Sequence, residues 1–320
     1  MVRKGGLEPP QVSPLEPKSS ASTNSATFAK TRSVIYSGFC CQLSVRNIHL
    51  MTTKHYENFP VASFLLPHRL RRPVSLIYAF ARQADDFADE GDEEPAWRLE
   101  RLNDFRLELE RISTGQTPQT QLFRDLAEII REYGLPLILF QDLLDAFSQD
   151  VVKNRYADFS EVMQYCRRSA NPVGRLLLHL YGATDKRNLA YSDAICSSLQ
   201  LINFLQDITI DYQKDRIYLP QDEMKKYHVS ETQIAQADTG GMWSTFMLSQ
   251  IERTRKMLQA GAPLGKILPG RIGLEMRMII MGGESILRKL HSSRGDVFQQ
   301  RPVLKAGDWV YMLYRSLRAK

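Results

Sequence analysis

SLIYAFARQADDFADEGD, residues 75–92, sets an apolar run directly against five acids, Asp85, Asp86, Asp89, Glu90 and Asp92. SLIYAFA is apolar nearly all round, so the segment reads as a helix that belongs inside the protein. Asp85 and Asp89 are four apart, as are Asp86 and Glu90, which on a helix places them on neighbouring stripes of one side. Like charges at that spacing repel, at a cost of roughly a few tenths of a kcal/mol per pair. An isolated acidic run is ordinarily a solvated helix end. Acids on a buried helix instead require something positive to face them.

The pattern recurs in LINFLQDITIDYQKDRIYLP, residues 201–220, where Asp207 and Asp211 are four apart and Asn203 lies one turn earlier on the same stripe. Two acidic stations, Asp85 and Asp207 being 122 residues apart, can face each other across a helical bundle. Carboxylate and amide oxygens without His or Cys suit a hard cation. Mg²⁺ takes one or two carboxylates and fills its shell with water and substrate phosphate, so a diphosphate is the natural guest. Arg82 precedes Asp86 by one turn, and Lys214 and Arg216 follow Asp211. Arg suits bidentate contact with phosphate and Lys a point-charge contact. Each alone reads as a surface salt bridge, Arg216 as a neighbour of Asp215; their placement beside both stations is what marks them.

Around these stations the chain reads as helix upon helix. Residues 99–112, 121–133, 135–148, 190–212, 243–261 and 272–290 carry apolar residues at three- and four-residue spacing, and no strand of comparable quality occurs. Breakers fall between them at Gly91, Pro95, Gly134, Gly182, Pro220, Gly240, Gly241, Gly261, Pro269 and Gly270. The linkers are too short to separate domains, which predicts one all-α domain over residues 51–320. Asn171-Pro172 falls inside the helical stretch 165–182, either as a kink or as a helix start. Residues 1–50 are rich in Pro, Ser, Thr and Asn without any period, and are expected to be disordered. They lack the amphipathic helix of a transit peptide. GLEPPQVSPLEPKSSASTNSATFA resembles the conceptual translation of a transfer RNA gene, so Met51 is read as the biological start.

The first fifty residues hold six Lys/Arg and two Glu, or +4 of the chain's net +6, leaving +2 for the body. A nearly neutral body gives no basic stripe for nucleic acid. Four cysteines, Cys40, Cys41, Cys166 and Cys196, form neither a CxxC pair nor a disulfide framework, which fits a reducing cytoplasm. No apolar run is long enough to span a membrane.

At DDFAD (85–89) and NFLQDITIDYQKDRIYLP (203–220) the chain resembles the squalene/phytoene synthase family of head-to-head prenyl synthases. The resemblance spans residues 55–315 and implies a single-domain isoprenoid synthase helical bundle around a central pocket. It implies that Asp85, Asp89, Asn203, Asp207 and Asp211 hold Mg²⁺, with Mn²⁺ as a substitute. His55, Tyr78, Arg82, Lys214, Arg216 and Arg301 would then bind substrate, and Asp85, Asp89, Asp207, Asp211 and Tyr165 would carry catalysis. HYENFPVASFLLPHRLRRPVSLIYAFARQADDFADEGD and YCRRSANPVGRLLLHLYG are most similar to a bacterial branch of squalene and hopanoid biosynthesis. Its enzymes ionise presqualene diphosphate and capture the cation with water, without NADPH.

Two alternatives stand beside that expectation. One is condensation of two prenyl diphosphates such as farnesyl diphosphate; the other is a non-catalytic relative in assembly of a respiratory complex. Departures bear on the choice: Tyr56 and Asn58 stand where condensing relatives carry serines, and Gln206 where they carry Arg. Losing one cation suits a substrate with a single diphosphate. A carbocation also needs aromatic faces, each worth up to ~2 kcal/mol when desolvated. Phe59, Phe64, Tyr78, Phe80, Tyr165 and Phe204 are the candidates, Tyr78 and Tyr165 foremost. The Met residues of PGRIGLEMRMIIMGGESILRKL, residues 269–290, suit packing against a long isoprenoid. The apolar substrate and product imply a membrane surface and neighbouring squalene-pathway enzymes as partners, with the basic tail YRSLRAK contributing to peripheral attachment at the inner membrane.

Overall fold

The acidic run lies on α1, His68–Asp89, whose buried residues include Leu70, Val74, Ile77, Ala81, Ala84, Asp85 and Ala88. That three- and four-residue stripe carries Asp85 into the interior because the residue shares the face of Ile77 and Ala81; Asp86, one step round, stays half-exposed. The computed structural model describes residues 66–299 and 301–318. His55, Tyr56, Asn58, Phe59, Phe64 and the expectations for residues 1–50 lie outside them.

α1 packs on α2 (Pro95–Ser113), α3 (Gln121–Tyr133) and α4 (Leu137–Val152). Their shared core is a ring cluster in which Phe80 meets Phe105, Phe123 and Phe140 at 5.2–5.8 Å between centroids. Phe80 is therefore a packing residue of this core. α5 (Phe159–Ser169) and α6 (Asn171–Tyr181) lead into α7 (Lys186–Gln206) and the short α8 (Ile208–Gln213). Beyond α9 (Gln221–Lys226) and α10 (Glu231–Ala235), α11 (Trp243–Gly261) and α13 (Gly270–Ser292) pack on α7, with α12 (Leu264–Ile267) between them. Leu199, Ile202, Phe246, Leu258, Ile286 and Leu290 build this second core. α14 (Ala306–Arg318) lies on α13. No strand occurs among the described residues; one isolated bridge joins Arg155 to Ile217.

Helix boundaries follow local chemistry. Gly134 and Gly182 end α3 and α6 in the left-handed conformation, φ 61° and 67°, which costs glycine nothing. The stretch 165–182 is two helices that meet at Ala170, and Pro172 lies in the first turn of α6, where a missing N–H is no loss. The predicted single helix over 190–212 is divided at Asp207, whose φ −104° and ψ 13° turn α8 away from α7.

α7 and α11 approach closely at Gly261. A Cβ there would stand 2.6 Å from both the Tyr191 carbonyl oxygen and Ile195 Cγ1, and the carbonyl is main chain of α7 that cannot swing aside. Gly261→Ala should therefore lower unfolding free energy by about 1–3 kcal/mol, despite alanine's better helix propensity. Urea titration checks this; an unchanged midpoint would contradict the packing.

Candidate active site

The second station is shaped by the loop that follows it. Asp215 adopts φ 57°, a left-handed conformation that Asp tolerates better than most residues. Its carboxylate accepts hydrogen bonds from Asn154 Nδ2 at 2.7 Å and Arg155 Nη2 at 2.8 Å. The Arg155 guanidinium also grips Glu231 through Nε and Nη2 at 2.8 and 2.9 Å. Ile217 N–H donates to Asn154 C=O at 2.9 Å, so the loop is fastened to the α4–α5 connection on both sides of residue 216. Arg216 accordingly points inward. Asp215 has its own partners, so Arg216 is not there to neutralise it.

Arg216 joins the stations. Its Nη1 lies 2.5 Å from Asp89 Oδ1, with both side chains mostly buried, and its Nη2 donates to the Asp150 carbonyl at 2.9 Å. Lys214 Nζ stands 3.8 Å from Asp89 Oδ2. On α1 itself, Arg82 reaches Asp85 at 3.2 Å, Asp86 at 2.5 Å and Glu90 at 3.3 Å, with Tyr78 one turn away and close enough to influence it. At the other end Arg301 clamps Asp207 through Nε and Nη2, the latter at 3.1 Å. Gln206 Nε2 donates to the Pro302 carbonyl at 2.5 Å, which holds the segment carrying Arg301 against α7. Asn203 is half-buried on α7 one turn before Asp207. Arg167 and Arg168 are exposed.

Burial governs the charge states. It pushes the carboxyls of Asp85 and Asp211 well above the usual range, and neighbouring acids, Asp89 for the first and Asp207 for the second, push the same way against Arg82 and Arg216. Asp207 is also raised by burial, against the pull of Arg301. Burial lowers Lys214, while Asp89 works in the opposite direction.

Sequence reasoning missed Asp150. It lies on α4, 5% exposed, and burial raises its carboxyl to about 7, Arg216 pulling down and Asp89 up. Tyr165 OH donates to Asp150 Oδ2 at 2.6 Å and Tyr218 OH to Oδ1 at 3.1 Å. Tyr218 stacks flat on Phe204, 3.9 Å between centroids, and Tyr156 lies 5.5 Å from Tyr218. Tyr165 is thus sealed in an aromatic cluster beneath the acids. The signal for Asp150 was present in FSQDVV, an acid in an apolar helix.

The two stations thus bring the carboxylates of Asp89 and Asp211 within electrostatic reach of each other. Among the described residues no three His, Cys, Asp or Glu side chains are close enough to hold one ion; carboxylates in ones and twos suit a hard divalent cation of the kind that completes its shell from water and phosphate. Asp89 Oδ1 is held by Arg216, whereas Asp89 Oδ2 has the Lys214 ammonium at 3.8 Å, beyond hydrogen-bond reach, and Lys214 Nζ likewise has no hydrogen-bond partner among the described residues.

The sequence model of the squalene/phytoene synthase family matches residues 52–308. Hydroxysqualene synthase of Rhodopseudomonas palustris is 34% identical over 270 residues, covering 84% of this chain and 90% of the relative. That of Zymomonas mobilis is 36% identical over 240 residues, covering 72% and 77%. The crystal structure of squalene synthase HpnC from Alicyclobacillus acidocaldarius superposes with a TM-score of 0.69 at 31% identity, covering 75% of this chain and 90% of that one. A dehydrosqualene synthase structure gives 0.71 at 20% identity over 80% and 88%, which speaks to the fold.

Asp150 has a measurable consequence. Between about pH 4 and 7 the folded protein holds a proton there that the unfolded chain has lost, so stability falls as pH rises through that window and levels off above it. Asp150→Asn removes this contribution, on the order of a few kcal/mol, so its unfolding free energy should decline less between pH 4 and 8. Parallel pH profiles from urea unfolding would contradict the assignment.

Proposed function

Because this chain belongs to the squalene/phytoene synthase family, we propose that it converts presqualene diphosphate and water into hydroxysqualene and diphosphate. The observation that carries this reading is the meeting of two buried acidic stations at Arg216 and Lys214, both of which face Asp89. The choice of substrate is supported by the hydroxysqualene synthases at 34% and 36% identity. The hydration is redox-neutral, so NADPH has no part in it.

In this reading Asp85, Asp89, Asn203, Asp207 and Asp211 hold Mg²⁺, or Mn²⁺ in its place. When bound, the cation neutralises charge developing on the departing diphosphate and so eases ionisation. Arg82, Lys214, Arg216 and Arg301 lie on carboxylates; with those carboxylates occupied by a cation, the same guanidinium and ammonium groups would be available to phosphate oxygens. Tyr78, one turn from Arg82 on α1, would flank the substrate, and the substrate-contacting role expected of His55 falls outside the described residues. The aromatic cluster of Tyr165, Phe204 and Tyr218, tied to Asp150, supplies electron-rich faces and rigidity beneath the cationic carbon.

Purified protein given Mg²⁺ and presqualene diphosphate should release diphosphate and form hydroxysqualene without NADPH. Asp85→Ala and Asp89→Ala should each lower turnover by about 10²-fold or more. Efficient condensation of farnesyl diphosphate would favour a condensing synthase instead, and full biological function in Asp85→Ala would favour a non-catalytic role in complex assembly.

The membrane is the proposed second partner. No helix among the described residues is long and apolar enough to cross one. α14, however, turns Met312 and Ser316 inward and exposes Val310, Tyr311, Leu313, Tyr314 and Leu317. Arg288 and Arg315 sit over the Tyr311 ring at 5.8 and 5.9 Å, an arrangement of apolar, aromatic and basic groups suited to an anionic bilayer surface. Co-sedimentation with anionic vesicles should be lost in the Leu313→Glu, Leu317→Glu double variant; equal sedimentation of both proteins would refute this role for α14.

A further inference from the structure

The proposed hydration needs a water molecule held beside a carbocation, and two side chains stand ready for it. Ser169 closes α5, and Gln200 lies on α7 one turn before Asn203. They are 4% and 0% exposed. Neither the Ser169 hydroxyl nor either end of the Gln200 amide has a hydrogen-bond partner among the described residues. Buried polar groups are almost always paired, so a fully unpaired amide and an unpaired hydroxyl in one region call for a polar guest.

Two contacts set their register. The Tyr165 and Phe204 rings lie 5.9 Å apart, and Ser197 Oγ donates to Asn171 Oδ1 at 2.8 Å. Residue numbers rise along one segment as they fall along the other, so the α5–α6 junction and α7 run antiparallel here. Residue 165 stands across from 204 and 171 across from 197, which sets Ser169 level with residues 199–200. Gln200 also precedes Asn203 by three and Asp207 by seven, on the stripe of the second station. At a rise of about 1.5 Å per residue, the pair lies roughly 5–10 Å along α7 from those ligands. That spacing offsets the pair from the residues that would face the diphosphate in this reading.

We propose that Ser169 and Gln200 hold the water that captures the carbocation, an inference that rests on the hydration reading above. Ionisation breaks the carbon–oxygen bond and leaves its electron pair on diphosphate. The held water donates its two hydrogens to Gln200 Oε1 and Ser169 Oγ, which turns a lone pair toward the cation to form the new carbon–oxygen bond. The resulting oxonium gives one proton to Ser169 Oγ, with which it is hydrogen-bonded, as the hydroxyl releases its own; the released diphosphate, the base that the reaction itself generates, is where the proton finally resides. Water held this way competes with loss of a proton from the cation, the route to a hydrocarbon.

The test is product partition with Mg²⁺ and presqualene diphosphate, scored as alcohol formed per diphosphate released. Ser169→Ala removes one atom and Gln200→Leu keeps the shape of the side chain. Each should lower that ratio about tenfold in favour of polyene hydrocarbon, and Ser169→Thr, which restores a hydroxyl, should recover it. A merely structural role would slow alcohol and diphosphate together. A ratio unchanged in both variants, with melting temperatures near that of the parent, overturns the proposal alone. A parent protein that releases no diphosphate from presqualene diphosphate overturns the hydration reading and this inference with it.

Discussion

The ion pair between Arg216 and Asp89 is the contact on which the acidic end of the bundle depends. Asp85, Asp150, Asp207 and Asp211 are all buried, and Asp89 keeps only 3% of its side chain exposed. Burial raises the proton affinity of Asp85, Asp150 and Asp211, and the neighbouring acids push in the same direction. Breaking a buried pair by removing one partner costs about 3–5 kcal/mol, because the survivor is left in a poor solvent for charge. Arg216 touches α1 through Asp89 and α4 through the Asp150 carbonyl while itself following α8, so one guanidinium fixes three parts of the site.

That guanidinium is aimed by residues that never meet substrate. Asp215 in its left-handed conformation, Asn154 and Arg155 beside it, and Glu231 beyond form a polar clasp at the surface end of the loop. Its strength comes from bidentate, partly buried geometry, since isolated surface ion pairs contribute little. The stability of this clasp and the electrostatics of the site are thereby coupled, although they share no side chain.

How much of this was legible follows from what each signal measures. Helical periodicity reports which face is buried, so α3 and α11 emerge with their ends in place, and Asp85 is found inside because it shares a stripe with Ile77 and Ala81. Periodicity does not report a turn made without Gly or Pro, and the break at Asp207 has neither. Asp150 carried the same acid-in-apolar signal as the two stations but lacked a second acid four residues away, and a single acid is easily taken for a helix end. Partners distant in sequence were illegible for a different reason. Arg301 reaches Asp207 across 94 residues, and Arg155 reaches Glu231 across 76, and no local pattern encodes such pairings.

Gln206 shows how a departure in sequence can be compensated in space. Read along the chain, an amide where relatives carry Arg removes a cation from the second station. In the folded protein that amide donates to the Pro302 carbonyl, and the neighbouring Arg301 brings a guanidinium onto Asp207. The cation is therefore supplied by a segment outside the helices and not by the helix that carries the acid. This changes what an exchange of partners costs. A guanidinium outside the helices can turn from carboxylate to phosphate oxygens without breaking a helical hydrogen bond, while the Gln206–Pro302 contact keeps it within reach. A cation fixed to α7 at residue 206 would lie beside Asp207 in every state of the site.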